Sequence, residues 1–136
     1  MRVVSFGLLV GFSMFIVWVV FLANTGGQSI WFQWVAQLPY GDKLGHAGLF
    51  GLLALLLNWV LRFARFSIKG VNFYFASVLV LSVVSLEELS QLFIASRTFD
   101  VGDLAADVVG VVIASVVARV CCLSRWAWLV TPRPAR

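Results

Sequence analysis

The sequence has little charge. Only 12% of its 136 residues are Asp, Glu, Lys or Arg, against 62% hydrophobic. A soluble domain carries roughly a quarter charged residues to cover its surface. One small core could not bury this much apolar surface, so much of it must face lipid. Cysteine is scarce as well: Cys121 and Cys122 are adjacent, with no CxxC spacing. Neighbours on a helix do not face each other, which argues against a disulfide between them, and nothing suggests a thiolate metal site. They read as small apolar residues at a helix end rather than as acylation sites. There is no linker or low-complexity stretch, so a single domain over residues 1–136 is expected. No nucleophile elbow and no phosphate-binding loop is present. The net charge of +4 does not point to nucleic acid, because the basic residues flank apolar runs instead of forming a patch.

What is there is a set of long apolar runs. A bilayer core about 30 Å thick needs about 20 helical residues. Four helices are expected, over residues 3–23, 42–61, 71–94 and 103–123. The first run is long for a signal peptide, and a cut after Ala23 would put Phe21 where a small residue is wanted. Residues 29–38, closed by Pro39, are too short to span. Trp31 and Trp34 suit a short segment lying in the interface, and Trp126 and Trp128 suit an anchor after the last helix. Residues 131–136 read as a Pro/Arg tail. The predicted class is an all-α polytopic membrane protein with four transmembrane helices and a short interfacial segment between the first two.

The basic residues orient it. With the N-terminus inside, Arg2, Arg62, Arg65, Lys69, Arg119, Arg125, Arg133 and Arg136 lie toward the cytoplasm, and only Lys43 and Arg97 lie outside. Both termini are therefore expected in the cytoplasm. All six acids then fall toward the outer side: Asp42, Glu87, Glu88, Asp100, Asp103 and Asp107. The positive-inside rule does not require this, since acids contribute little to topology.

The outer polar residues form a constellation. Asp42 and His46 are four apart, Glu88 and Gln91 three apart, and Asp103 and Asp107 four apart, so each pair shares a helix face. Asp100, Asp103 and Asp107 make one stripe if the last helix begins early. Asp42, Asp100 and Asp103 lie near helix N-termini, where a carboxylate is favoured by about 0.3–1 kcal/mol. Glu87 and Glu88 lie toward a C-terminus, where it is not. A charge at membrane depth costs at least about 2.5 kcal/mol and usually marks function. Function is accordingly the favoured reading of Glu88, Asp107 and Arg97, while Asp42 and Asp103 suit capping equally well. His46 can be a hydrogen-bonded residue or a nitrogen ligand. No tight ligand spacing supports a metal, and no cofactor is expected. Gly7 and Gly11 form a GxxxG. Ala106, Gly110, Ala114 and Ala118 form a small-residue stripe suited to close packing within the chain or in a homo-oligomer.

In order along the chain, Asp42-Lys-Leu-Gly-His46, Glu88-Leu-Ser-Gln91, Arg97-Thr-Phe-Asp100, Asp103 and Gly110 resemble the VanZ-like family. The resemblance covers roughly residues 42–114. It departs at Asp107, where the family usually has Asn, and at Ala95-Ser96, where a Pro-Gly pair is common. It implies a small bacterial polytopic membrane protein, whose namesake confers resistance to the glycopeptide teicoplanin. Matched residue by residue, the site it implies is Asp42, Lys43, His46, Glu88, Gln91, Arg97, Asp100, Asp103 and Asp107, with Gly110. The expected protein sits in the bacterial plasma membrane, with membrane lipids around it and a glycopeptide antibiotic or an envelope lipid precursor as ligand of an outer-leaflet polar site. Two rivals stay open: an ion-pair clamp that is purely structural or serves a partner protein, and an enzyme on a lipid-linked substrate with Glu88, His46 or Asp107 as acid and base.

Overall fold

Inside a bilayer every backbone polar group must find a partner within the protein, and a helix does this segment by segment. The structure, a computed structural model, describes residues 2–27 and 29–130, the side chains of residues 2, 31, 32, 36 and 123–130 excepted. Its elements are α1 (Arg2–Asn24), α2 (Ile30–Ala36), α3 (Gly41–Val60), β1 (Arg65–Ile68), β2 (Val71–Tyr74), α4 (Phe75–Ser90), a 3-10 turn (Gln91–Phe93) and α5 (Val101–Val130). Four helical segments are long and apolar enough to cross a membrane: Val3–Asn24, Gly41–Val60, Phe75–Phe93 and Val101–Cys122.

α3 is the hub, packing against α1, α4 and, most extensively, α5. The α3–α5 contact is made of small residues. A Cβ on Gly51 would lie 2.8 Å from the Gly110 carbonyl oxygen, and one on Gly110 would collide with the Ala47 backbone. Ala54, Ala114 and Ala118 are also buried. The Gly110–Ala118 part of the small-residue stripe thus packs inside the chain. Gly7 and Gly11, by contrast, meet nothing within 4 Å. Ile16, Phe50, Val80, Val84 and Val111 complete the core around Ala54 and Ala114. Ile16 is the one buried residue of α1 among the described residues, so α1 flanks the bundle and turns most of its surface outward.

One local departure from helix lies where the third helix is expected to begin. Residues 65–74 fold as an antiparallel hairpin with Arg65 opposite Tyr74 and Ile68 opposite Val71. The β-branched and aromatic content favours strands, and Lys69-Gly70 closes them as a two-residue turn with both φ positive, 49° and 81°. The chain reaches the hairpin from α3 through a Schellman motif. Phe63 N–H donates to Asn58 O at 2.8 Å, and Arg62 N–H to Trp59 O at 3.1 Å. Arg62 takes the left-handed conformation that glycine usually fills there (φ 56°). At the other end of the chain, α5 begins at Val101 rather than at residue 103 and runs on through Arg119 and Arg125. Trp34 is exposed. The side chains of Trp31, Trp126 and Trp128, and the tail at residues 131–136, lie outside the described residues.

Gly110→Ala is expected to lower the stability of the purified protein by about 1–3 kcal/mol, because its methyl meets backbone that cannot turn aside. Gly48→Ala, facing open space, should be nearly neutral. Thermal unfolding in detergent separates the two; equal melting temperatures would contradict the close α3–α5 approach.

Candidate functional site

The close α3–α5 approach brings the start of α3 against the start of α5. Lys43, one turn into α3, points its ammonium among three carboxylates. Its Nζ donates to Asp100 Oδ2 at 2.7 Å, to Asp103 Oδ1 at 3.1 Å and to Asp42 Oδ2 at 3.2 Å. Among the described residues these acids form a group with one oxygen each within 4.8 Å of one another, a spacing that could hold a cation. The ammonium already supplies that positive charge. Asp100 does two jobs. Its Oδ1 accepts the Gly102 N–H at 2.7 Å, capping α5, while its Oδ2 accepts Lys43. The Lys43 contact and this cap together hold the Asp100 carboxyl below the usual carboxylate range.

One turn deeper, His46 lies between two carboxylates. Nδ1 is 3.1 Å from Asp107 Oδ1, and Nε2 is 3.8 Å from Asp103 Oδ2. Only the doubly protonated ring donates toward both. Asp107 is fully buried, and its Oδ2 has no hydrogen-bond partner among the described residues. Glu88 is also fully buried, but both its oxygens are used. Oε2 accepts the Gln91 amide at 2.7 Å, and Oε1 accepts the Asp100 backbone N–H at 3.0 Å. Glu88 therefore ties the end of α4 to Asp100, the residue that caps the start of α5.

The sequence-predicted residues thus divide. Asp42, Lys43, His46, Asp100, Asp103 and Asp107 form one ion-pair cluster, and Glu88 with Gln91 joins it through the Asp100 backbone. Arg97 stands apart, with no ion pair within 4.0 Å among the described residues. It lines a cavity of about 630 Å³ together with Asp42, His46 and Glu87. The remaining walls are largely apolar, from Ile16, Val19 and Val20 of α1, Val35 and Leu38 around the end of α2, and Leu49 and Phe50 of α3. Pro39 and a left-handed Tyr40 (φ 56°) turn the chain at its edge.

Sequence reasoning missed the part α1 plays in this cavity, and it favoured Glu88 where Glu87 is the glutamate that faces the space. Helical phase distinguishes these neighbours, and two adjacent acids hide it. It also missed a buried polar chain deeper in the bundle. Asn58 Nδ2 donates to Ser77 Oγ at 3.0 Å, and Ser115 Oγ to the same Ser77 Oγ at 2.8 Å, linking α3, α4 and α5. An Asn near the end of an apolar run was the available signal.

A family model described as VanZ/LLP1 matches residues 6–123, most of the chain, and the protein belongs to that family. No curated protein and no solved structure matches it.

Two outcomes check this geometry. Glu88→Ala leaves the Asp100 N–H without its side-chain acceptor and the Gln91 amide with only its longer contacts to Glu87, at 3.2 and 3.4 Å, and should cost about 1–3 kcal/mol. Glu88→Gln keeps an acceptor for one of them and should cost less, so equal losses in thermal melts would contradict the double contact. The Asp100 carboxyl, being depressed in the folded state, contributes stability above its unfolded pKa and loses it as pH falls through the folded value. Asp100→Asn should therefore melt below wild type from neutral pH down to about pH 4, and the gap should close in stronger acid. A gap that widens with acid would have the wrong sign.

Proposed function

We propose that this VanZ/LLP1-family protein sits in the bacterial plasma membrane with both termini in the cytoplasm, and that its outer-face cavity takes up an amphiphile. The observation that carries this is the cavity beside Arg97. Its walls are largely apolar, from α1 and from Leu49 and Phe50 of α3, and its charged and polar groups are Arg97, Glu87, His46 and Asp42. Such a space suits a molecule with an apolar tail and a charged head, since a few placed polar groups orient a mostly apolar ligand. Arg97, with no carboxylate on it among the described residues, is the group available to an anionic head, and Glu87, which also accepts the Gln91 amide, to a cationic one. A lipid-bearing glycopeptide such as teicoplanin and an envelope lipid headgroup both have this form. Resistance would follow from binding either the drug or the lipid that the drug recognises.

The cluster around Lys43 supports a second role in the same protein. Its contacts join α3 to the start of α5, which is what a structural clamp does. The clamp holds one wall of the cavity, because Asp42 and His46 belong to both.

Teicoplanin sensitivity tests the reading. A sensitive strain expressing wild type should tolerate more drug than one with empty vector. Arg97→Gln, and Glu87→Gln, which keeps an oxygen for the Gln91 amide, should lose that tolerance at unchanged expression and melting temperature. If wild type gives no tolerance, resistance is ruled out. If both variants protect as well as wild type, the cavity is not the site.

A further inference from the structure

The opposite end of the bundle carries a second built space. At 1.5 Å per residue, Arg119 lies about 24 Å along α5 from Asp103, far from every acid of the chain. There a cavity of about 530 Å³ opens between the hairpin and α5, lined by Arg65, Asn72, Tyr74, Arg119 and Cys122, with Val71 and Phe73 beside them. The hairpin register explains its polarity. Arg65 pairs with Tyr74 and Ser67 with Asn72, so these four side chains share one face. Phe66, Ile68, Val71 and Phe73 share the other, with Phe66 and Phe73 stacked at 5.9 Å. Ile68 and Val71 are more than half exposed, at 54% and 56%.

A lone two-stranded hairpin is marginal in water, and one with an exposed apolar face needs an apolar medium. Laid at the membrane surface with Ile68, Val71 and Phe73 toward the acyl chains, it turns Arg65, Asn72 and Tyr74 toward Arg119 at headgroup depth. Neither arginine has a carboxylate within 4.0 Å among the described residues. Two guanidiniums from separate elements, an amide and a phenol form a donor set for phosphate oxygens. Apolar side chains at the rim favour a phosphate that carries acyl chains.

We propose that this niche binds the phosphate headgroup of an anionic phospholipid, held between Arg65 of the hairpin and Arg119 of α5. It is a site separate from the outer cavity and does not depend on the function proposed for that cavity.

The test uses the full chain in nanodiscs of phosphatidylcholine with increasing phosphatidylglycerol, with native mass spectrometry counting retained lipid. Wild type should retain phosphatidylglycerol selectively. The preference should fall roughly fivefold for Arg65→Gln or Arg119→Gln and about 25-fold for the pair. Arg62→Gln, which removes a nearby charge outside the niche, should leave it intact, and Arg65→Lys with Arg119→Lys should keep part of it. Melting curves in pure phosphatidylcholine establish that each variant is folded. A third arm adds inorganic phosphate to phosphatidylcholine nanodiscs. Stabilisation by phosphate alone equal to that by phosphatidylglycerol would overturn the lipid assignment. Equal loss in Arg62→Gln would reduce the effect to general surface charge and overturn the niche.

Discussion

Everything at the acid-rich end of the bundle depends on how closely α3 and α5 approach. In lipid there is little hydrophobic drive between helices, so association rests on van der Waals contact and polar bonds, and both need short distances. Gly51, Gly110 and Ala47 provide them by letting backbone lie on backbone. From that crossing, Lys43 and His46 on one helix meet Asp100, Asp103 and Asp107 on the other. A bulkier crossing would leave those carboxylates facing lipid or one another.

The magnitudes separate the members of the cluster. Lys43–Asp42 is largely exposed, with Asp42 at 61%, and a pair of that kind contributes at most about 1 kcal/mol. Asp103 and Asp107 are at 13% and 0%, where leaving a carboxylate without a cation costs several times more. The inner contacts with Lys43 and His46 are therefore the ones that hold the helices together, and the outer one mainly tunes charge. Arg97 and Glu87 form none of these ion pairs among the described residues, although Glu87 accepts the Gln91 amide, and both line the neighbouring cavity.

The two ends of the bundle differ in kind. The acid-rich end is crowded, with its aspartates gathered around Lys43 and His46, and has an amphipathic cavity beside it. At the basic end Arg65 and Arg119 stand clear of carboxylates among the described residues, Arg65 on a hairpin whose other face is apolar and Arg119 on α5. A purely helical connection would not have produced that second arrangement. The left-handed Arg62 and Phe63 turn the chain sharply enough to lay the strands beside α5.

Much was legible from the residues. Apolar run length determined the four membrane helices, because backbone groups in hydrocarbon must be satisfied within each segment. The ordered run from Asp42 to Gly110 carried the resemblance to the family to which the chain belongs. Spacing put Asp103 and Asp107 on one face, but spacing is silent about partners on other helices. Only the tertiary structure decided that Lys43 donates to three aspartates, that Glu88 bonds the backbone of Asp100, and that Arg97 stands with Glu87 in a cavity walled by α1. Residues 71–74 were expected to open the third helix and instead form a strand, for a related reason. Four-residue strands are stabilised by their cross-strand partners and the medium around them, and neither is written in the local sequence.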